Sequence, residues 1–264
     1  MSEGTPAALT IAGSDPSGGA GLQSDLRTFA VHGLFGLAVP TATTVQCVAT
    51  GVTEVRTTAA EHVAAQLEAA LVDRPIGAAK TGMLGTAATV REVARAWRRQ
   101  PDVPLVVDPI VLSSSGASLL GPGGLEAVRD ELLPCATVVT PNLPESAALL
   151  GRSELASDEV PDAASALAEL GCAAVVITGG HGSDPRRTLD VLFVAATGRL
   201  HRMEGPRLET PHDHGTGCLC SAALAAALAE GASIEEAARH ARACVEAGLR
   251  EGRAGAVWLR DRPR

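Results

Sequence analysis

Six short runs in this chain have the pattern of buried strands, and several of them are apolar throughout rather than at alternate positions: Ala8–Ala12, Leu37–Ala42, Ile76–Lys80, Leu105–Val107, Ala136–Thr140 and Ala173–Thr178. A strand with one face in water alternates, whereas a strand apolar on both faces has to be covered on both. That is the situation of a parallel sheet held between two layers of helices. The intervening segments supply such helices. Val63, Leu67, Ala70 and Leu71 share one helical face, Leu125, Val128 and Leu132 another, and Val160, Ala164, Leu167 and Leu170 a third. After Thr178 the pattern changes: Asp190–Val194, a Thr197-Gly198 turn and Arg199–Met203 predict an antiparallel hairpin at a sheet edge. Two small-residue helices, near Gly215–Ala229 and Ile234–Gly252, close the chain. The fold class expected is α/β, a three-layer α/β/α arrangement with a mostly parallel central sheet and an antiparallel edge hairpin. No linker, charge block or repeat interrupts it, so residues 1–264 are expected to form a single domain, with 1–7 and 253–264 as loose tails.

Composition narrows the partners. The net charge is -8, Lys80 is the only lysine among 22 basic residues, and the aromatic stock is three Phe, two Trp and no Tyr. A surface of that kind suits neither phosphate-backbone binding nor base stacking, so no nucleic acid is expected. The longest strongly apolar stretch, around Ala222–Ala229, is far short of the ~20 residues a membrane-spanning helix needs. The six cysteines are scattered and form no CxxC pair, and Met1–Gly13 has no secretory pattern. Reduced thiols, a cytoplasmic location, no membrane and a small-molecule substrate are the expectation.

The chemistry gathers where the apolar runs end. Gly13-Ser14-Asp15-Pro16-Ser17-Gly18-Gly19-Ala20-Gly21, Lys80-Thr81-Gly82-Met83, Asp108-Pro109, Thr140-Pro141-Asn142-Leu143-Pro144-Glu145 and Thr178-Gly179-Gly180-His181-Gly182 each follow a run directly. Any one of them is an ordinary strand-to-helix turn. Five after parallel strands converge on one sheet edge, where open α/β folds bind ligands. Gly18–Gly21 does not complete GxGxxG, and GxxxxGK[ST] is absent, so the dehydrogenase and P-loop readings fail. His214-Gly215-Thr216-Gly217-Cys218 opens a small-residue helix whose unpaired N–H groups and dipole favour an anion. Cys218 sits in that first turn, where a thiol pKa is expected to fall, or it is a small packing residue. Cys218-x-Cys220 with His212 and His214 fits no zinc spacing. Asp108 and Glu145, with Asn142, offer hard oxygens suited to magnesium beside phosphates, or serve as helix caps.

These motifs resemble the bacterial hydroxymethylpyrimidine/phosphomethylpyrimidine kinases of thiamine synthesis, lidless members of the ribokinase-like superfamily. The likeness runs from about Leu9 to Ala229. It is carried by Leu9–Leu26, Gly82-Met83-Leu84, Asp108-Pro109 with Ser115-Gly116, Thr140–Glu145 and His214–Cys218. The resemblance implies ATP and Mg2+ as cofactors, phosphorylation of 4-amino-5-hydroxymethyl-2-methylpyrimidine and of its monophosphate, and a homodimer. It places Gln46 on the aminopyrimidine edge, with Gly13, Asp15 and Met83 also on the substrate. Gly215, Thr216 and Gly217 form the anion hole, and Cys218 stands at the catalytic position of related sugar kinases. Asn142, Thr178, Gly180 and His214 face the nucleotide, and Asp108 and Glu145 organise magnesium through water. Thr178 replaces the family's usual lysine, with Arg186 or Arg187 as substitute cations, and Leu219 replaces a frequent threonine. The alternatives are a pyridoxal-type kinase and a non-catalytic pyrimidine-binding module.

Overall fold

The computed structural model describes residues 6–111, 119–182 and 184–263. Nine strands form one sheet: β1 (Ala7–Ser14), β2 (Phe35–Cys47), β3 (Gly51–Thr57), β4 (Ile76–Thr81), β5 (Leu105–Val107), β6 (Val138–Val139), β7 (Ala174–Ile177), β8 (Arg187–Val194) and β9 (Arg199–Pro206). Their order is β3-β2-β1-β4-β5-β6-β7-β8-β9. The strands from β2 to β7 pair in parallel, while β3, β8 and β9 add antiparallel edges.

The helices are α1 (Gly21–Val31), α2 (Ala60–Asp73), α3 (Ala87–Trp97), α4 (Gly124–Ala127), α5 (Leu143–Leu149), α6 (Val160–Ala168), α7 (Thr216–Ala229) and α8 (Ile234–Arg250). Strand residues divide by pleat between two cores, which is why the runs are apolar throughout. Leu9, Ile11, Leu105, Val107, Val175 and Ile177 pack with α2, α3, α5 and α6. Ala8, Val106, Val138, Ala174 and Val176 pack with α1, α7 and α8. Because α7 lies between the sheet and α8, all its residues from Cys218 to Leu228 are buried. Its alanines let it lie close to the strands: a Cβ on Gly77 would come 2.8 Å from the Ala229 carbonyl oxygen.

The expected edge hairpin is present as β8–β9 and is joined by a second antiparallel edge, whereas the loose tails need correction. The sheet has antiparallel strands at both edges. Beyond the expected β8–β9 hairpin, β2 continues past Ala42 to Cys47 and turns back as β3. These residues mix threonines, charged groups and a few valines and are half-exposed or exposed throughout, so no continuous apolar run marks them. The C-terminal segment from 253 is also not loose. Val257 and Leu259 are buried, the Val257 N–H donates to the His214 carbonyl at 3.0 Å, and the Arg27 and Arg253 guanidinium groups lie over the Trp258 ring. Ala7, assigned to the N-terminal tail, is already a buried residue of β1. Ser115-Gly116 lies outside the described residues. No helix of the described residues is long and apolar enough to cross a membrane.

Candidate active site

Because β1, β4, β5, β6 and β7 run parallel, the five clusters follow their C-terminal ends on one edge of the sheet. The β1–α1 loop folds around Asp15. Its carboxylate accepts from the Ser17 N–H and hydroxyl at 2.8 Å each and from the Ala20 N–H at 2.9 Å. His214 Nε2 lies 2.9 Å from the same carboxylate. Burial raises the Asp15 pKa, but the hydrogen bonds from His214, Ser17 and Ala20 outweigh it and hold the carboxyl below its ordinary value.

Gln46, on the β2 extension, brings its amide nitrogen to 3.3 Å from His214 Nε2. One ring nitrogen cannot donate to Asp15 and accept from Gln46 at once. With the His214 Nε2 proton directed at Asp15, the Gln46 NH2 group has no acceptor on that ring, while the Gln46 amide oxygen accepts from the Thr44 hydroxyl at 3.2 Å. Gly13 and Met83 also meet: a Cβ on Gly13 would lie 3.3 Å from the Met83 sulfur. Asp15, Gln46 and His214 therefore form one contact chain, with the Gly13–Met83 pair at the ends of neighbouring strands β1 and β4.

The His214–Cys218 turn is locked against the β1–α1 loop. Gly215 has φ +89°, and a Cβ there would fall 1.9 Å from the Gly19 carbonyl oxygen. Only glycine permits both that conformation and that approach. The turn launches α7, so the Gly217 and Cys218 N–H groups lie in its first turn, where no intrahelical acceptor is available by position. Asp108 lies beneath it: Ser221 donates to Asp108 at 2.9 Å, and a Cβ on Gly217 would be 4.0 Å from Asp108 Oδ2.

Under this turn lies a buried charge network that the sequence reading did not anticipate. Lys80 Nζ donates to both Asp25 oxygens at 2.9 Å and stands 4.0 Å from Asp108; both Lys80 and Asp25 are wholly buried. Thr10 donates to Asp25 at 2.6 Å. Burial alone lowers the Lys80 pKa, but Asp25, Cys218 and Asp108 more than reverse it and keep the ammonium charged. The available signals were a lone lysine in an apolar run and an aspartate between Leu22 and Phe29 on the buried face of α1.

Cys218 departs from expectation. Burial pushes its thiol up to about 12, Lys80 pulls it down, and Asp25 and Asp108 push it up again. The helix dipole acts over tenths of a kcal/mol to about 2 kcal/mol, too little to counter complete burial beside two carboxylates. The lowered thiol pKa read from the sequence is therefore not found.

Glu145 and Asn142 form a capping box at the start of α5, with the Glu145 N–H donating to Asn142 at 2.9 Å and the Asn142 N–H donating to Glu145 at 3.0 Å. Glu145 is nonetheless driven up to about 7, first by burial and then by the Asp108 charge. A like-charged carboxylate pair in a buried place is the donor set a hard cation relieves. Thr140, whose N–H pairs with the Val107 carbonyl next to Asp108, has a buried hydroxyl without a hydrogen-bond partner among the described residues. These residues fit a magnesium ion that keeps several waters.

Thr178 follows β7 and bridges to Asn142. Gly179 packs on the Leu189 carbonyl, and Gly180 is open to solvent. Among the described residues, the guanidinium bonded to this turn is that of Arg207. Arg187 pairs with Glu204 in solvent, while Arg207 donates to the carbonyls of Gly180 and Gly182 at 2.9 and 2.8 Å.

Comparison with known proteins identifies the family of the chain. Residues 15–256 match the family described as phosphomethylpyrimidine kinase. A hydroxymethylpyrimidine/phosphomethylpyrimidine kinase of Rhizobium meliloti is 44% identical over 247 residues, 93% of this chain and 91% of that protein. The ADP complex of Bacillus subtilis pyridoxal kinase superposes with a TM-score of 0.85 at 34% identity, covering 94% of this chain and 93% of that one. The phosphomethylpyrimidine kinase of Clostridium difficile does so at 0.77 and 32%, covering 90% and 96%. With its strand-end clusters, its glycine-locked turn and this extent of identity, the chain belongs to the phosphomethylpyrimidine kinase family.

Proposed function

We propose that this protein transfers a phosphoryl group from ATP to the hydroxymethyl group of 4-amino-5-hydroxymethyl-2-methylpyrimidine and then to the resulting monophosphate, as a homodimer serving thiamine synthesis. The observation that carries the reading is the Gly215–Gly217 turn, held by Gly19 on one side and above Asp108 on the other. Phosphoryl transfer asks mainly for positioning and for stabilisation of charge on the phosphoryl oxygens. The first-turn N–H groups of α7 point donors at that charge, and rigid packing of the turn means they need not reorganise. Gln46, Gly13, Asp15 and Met83 hold the ring, and Asn142, Thr178, Gly180 and His214 border the nucleotide. Asp108, Glu145 and Asn142 would hold magnesium, which neutralises phosphate charge when bound.

An ATP-consumption assay with the pyrimidine, its monophosphate and pyridoxal tests the reading. Turnover of the pyrimidine well above pyridoxal supports it. The reverse order identifies a pyridoxal kinase, the activity that names the Bacillus subtilis relative. Turnover of none identifies a binding module.

Two substitutions probe the assigned roles. Gln46→Leu removes hydrogen bonds to the ring; an unpaired polar edge costs roughly 1–3 kcal/mol, or about 5- to 150-fold in pyrimidine KM, with ATP KM unchanged. An unaltered pyrimidine KM removes Gln46 from the site. Glu145, with a pKa of about 7, is protonated as pH falls below neutrality, and the proton competes with the cation. Apparent Mg2+ affinity should therefore weaken from pH 8 to pH 6 in the wild type, while Glu145→Gln is weaker throughout and less pH-dependent. Superimposable magnesium titrations would show that Glu145 is a helix cap only.

A further inference from the structure

Away from the active-site edge of the sheet, where the end of α1 meets α8, three metal-ligating side chains come together, two of them buried. His32 caps the C-terminal end of α1, and His240 and Cys244 are four residues apart on one face of α8. His32 Nε2 is 2.7 Å from His240 Nε2, Cys244 Sγ is 3.3 Å from His240 Nε2, and Cys244 Sγ is 3.9 Å from His32 Nε2. All three ligand atoms lie within 4.8 Å of one another, and among the described residues no other such group occurs. We propose that His32, His240 and Cys244 bind one Zn2+ ion, with water completing a tetrahedron, and so staple α1 to α8.

The hydrogen bonding points to a cation rather than to packing alone. His32 Nδ1 lies 2.7 Å from the Thr28 carbonyl oxygen, which can only accept, so Nδ1 carries the ring proton. Its Nε2 is therefore a bare lone pair aimed at a second imidazole and a thiol. An N–H donated to a backbone carbonyl is the usual way a protein orients a metal-binding histidine. Burial holds both imidazoles below their ordinary pKa, so both are neutral ligands at pH 7.

Without a metal, one proton on His240 Nε2 can bridge to His32, and Cys244 gains little. A zinc ion satisfies all three at once. Zinc bonds of ~2.0–2.1 Å to nitrogen place two imidazole nitrogens about 3.4 Å apart in a tetrahedron. The pair has to open by a fraction of an ångström, and half-exposed His240 can do so. The rings already cross at 88°. The charged neighbours acting on both imidazoles, Arg262 first and then Glu230, pair with each other at 2.6 Å, so Glu230 offsets part of the positive charge that a bound cation would face. Burial pushes the Cys244 thiol up to about 12, so zinc binding at pH 7 displaces its proton into solvent as the Zn–S bond forms.

The test uses the full chain after chelator treatment, in a Cys47→Ser background because Cys47 is an exposed thiol. Co2+ is titrated as the spectroscopic probe and Zn2+ as the competitor. The expected result is one equivalent of Co2+ with a thiolate-to-metal band in the near ultraviolet, displaced by Zn2+, and about one proton released per metal. Cys244→Ala should abolish the band. His240→Ala should weaken binding by more than the ~10–100-fold that outer-shell partners cost. Zn2+ should also raise the thermal midpoint of the parent but not of either variant. A band that persists in Cys244→Ala, or a chain that takes up no Co2+, overturns the proposal and leaves the cluster as core packing. Neither result bears on the kinase assay, which reads a separate site.

Discussion

Lys80→Met should lower the stability of the protein by about 3–5 kcal/mol, because it strands the Asp25 carboxylate in a wholly buried place. For a chain of this size that corresponds to a fall in Tm of roughly 10 °C. The loss should depend on pH in a defined direction. An unpaired buried aspartate has its folded pKa raised, so its penalty is absent below the unfolded value and grows as pH rises through the folded one. The deficit of Lys80→Met is therefore smallest near pH 4 and largest at neutral pH. Lys80→Met with Asp25→Leu removes both charges and should recover much of the loss, since a buried pair replaced by apolar groups is often neutral or better. Denaturant titrations at several pH values check this. A single variant within 1 kcal/mol of wild type, or a double variant no better than the single, would show that the Asp25–Lys80 pair is not the keystone of this edge.

Cys218→Ser should reduce kcat by about 10²-fold, at the low end of general-base effects, with little change in either KM. The low end is expected because burial holds the thiol up to about 12, so the thiolate is scarce at neutral pH. Scarcity makes the prediction sharper. If the thiolate accepts the proton of the substrate hydroxyl, log kcat climbs with pH well above 8 in the wild type. In Cys218→Ser, whose hydroxyl does not ionise in that range, the climb disappears. Matching pH profiles would reduce Cys218 to a packing residue beneath the anion hole and leave catalysis to the α7 amides.

Much of this architecture was readable because it rests on local pattern. Runs apolar on both faces reveal strands covered on both sides, and in a parallel sheet their following residues must converge. That logic gathers Asp15, Met83, Asp108, Asn142 and Thr178 from the sequence alone. What escaped depends on distance along the chain. Asp25 and Lys80 are separated by 55 residues, and no periodicity links a helix aspartate to a strand lysine. His32 and His240 lie 208 residues apart, and no local pattern joins the end of one helix to the middle of another. The Cys218 pKa was misread because a local feature, the helix start, was weighed without the burial that tertiary packing imposes. β3 escaped since a half-solvated ribbon has no apolar face to betray it, and Val257 and Leu259 escaped since a docked tail has no period.

Residues 44–47 of β2 have lost β1 as a partner and pair only with β3, so Gln46 rides on a two-stranded arm outside the body of the sheet. The groups proposed to handle phosphate sit instead in the interior, on Asp108 and at the head of α7. On the proposed assignment, ring recognition and phosphoryl chemistry occupy parts of the molecule with separate tolerances for mutation. A change on the arm is then expected to retune which heterocycle is held without disturbing the buried charges, whereas a change among those charges is expected to disable every substrate alike. The proposed division of labour marks the arm as the place where a designed change of substrate should begin.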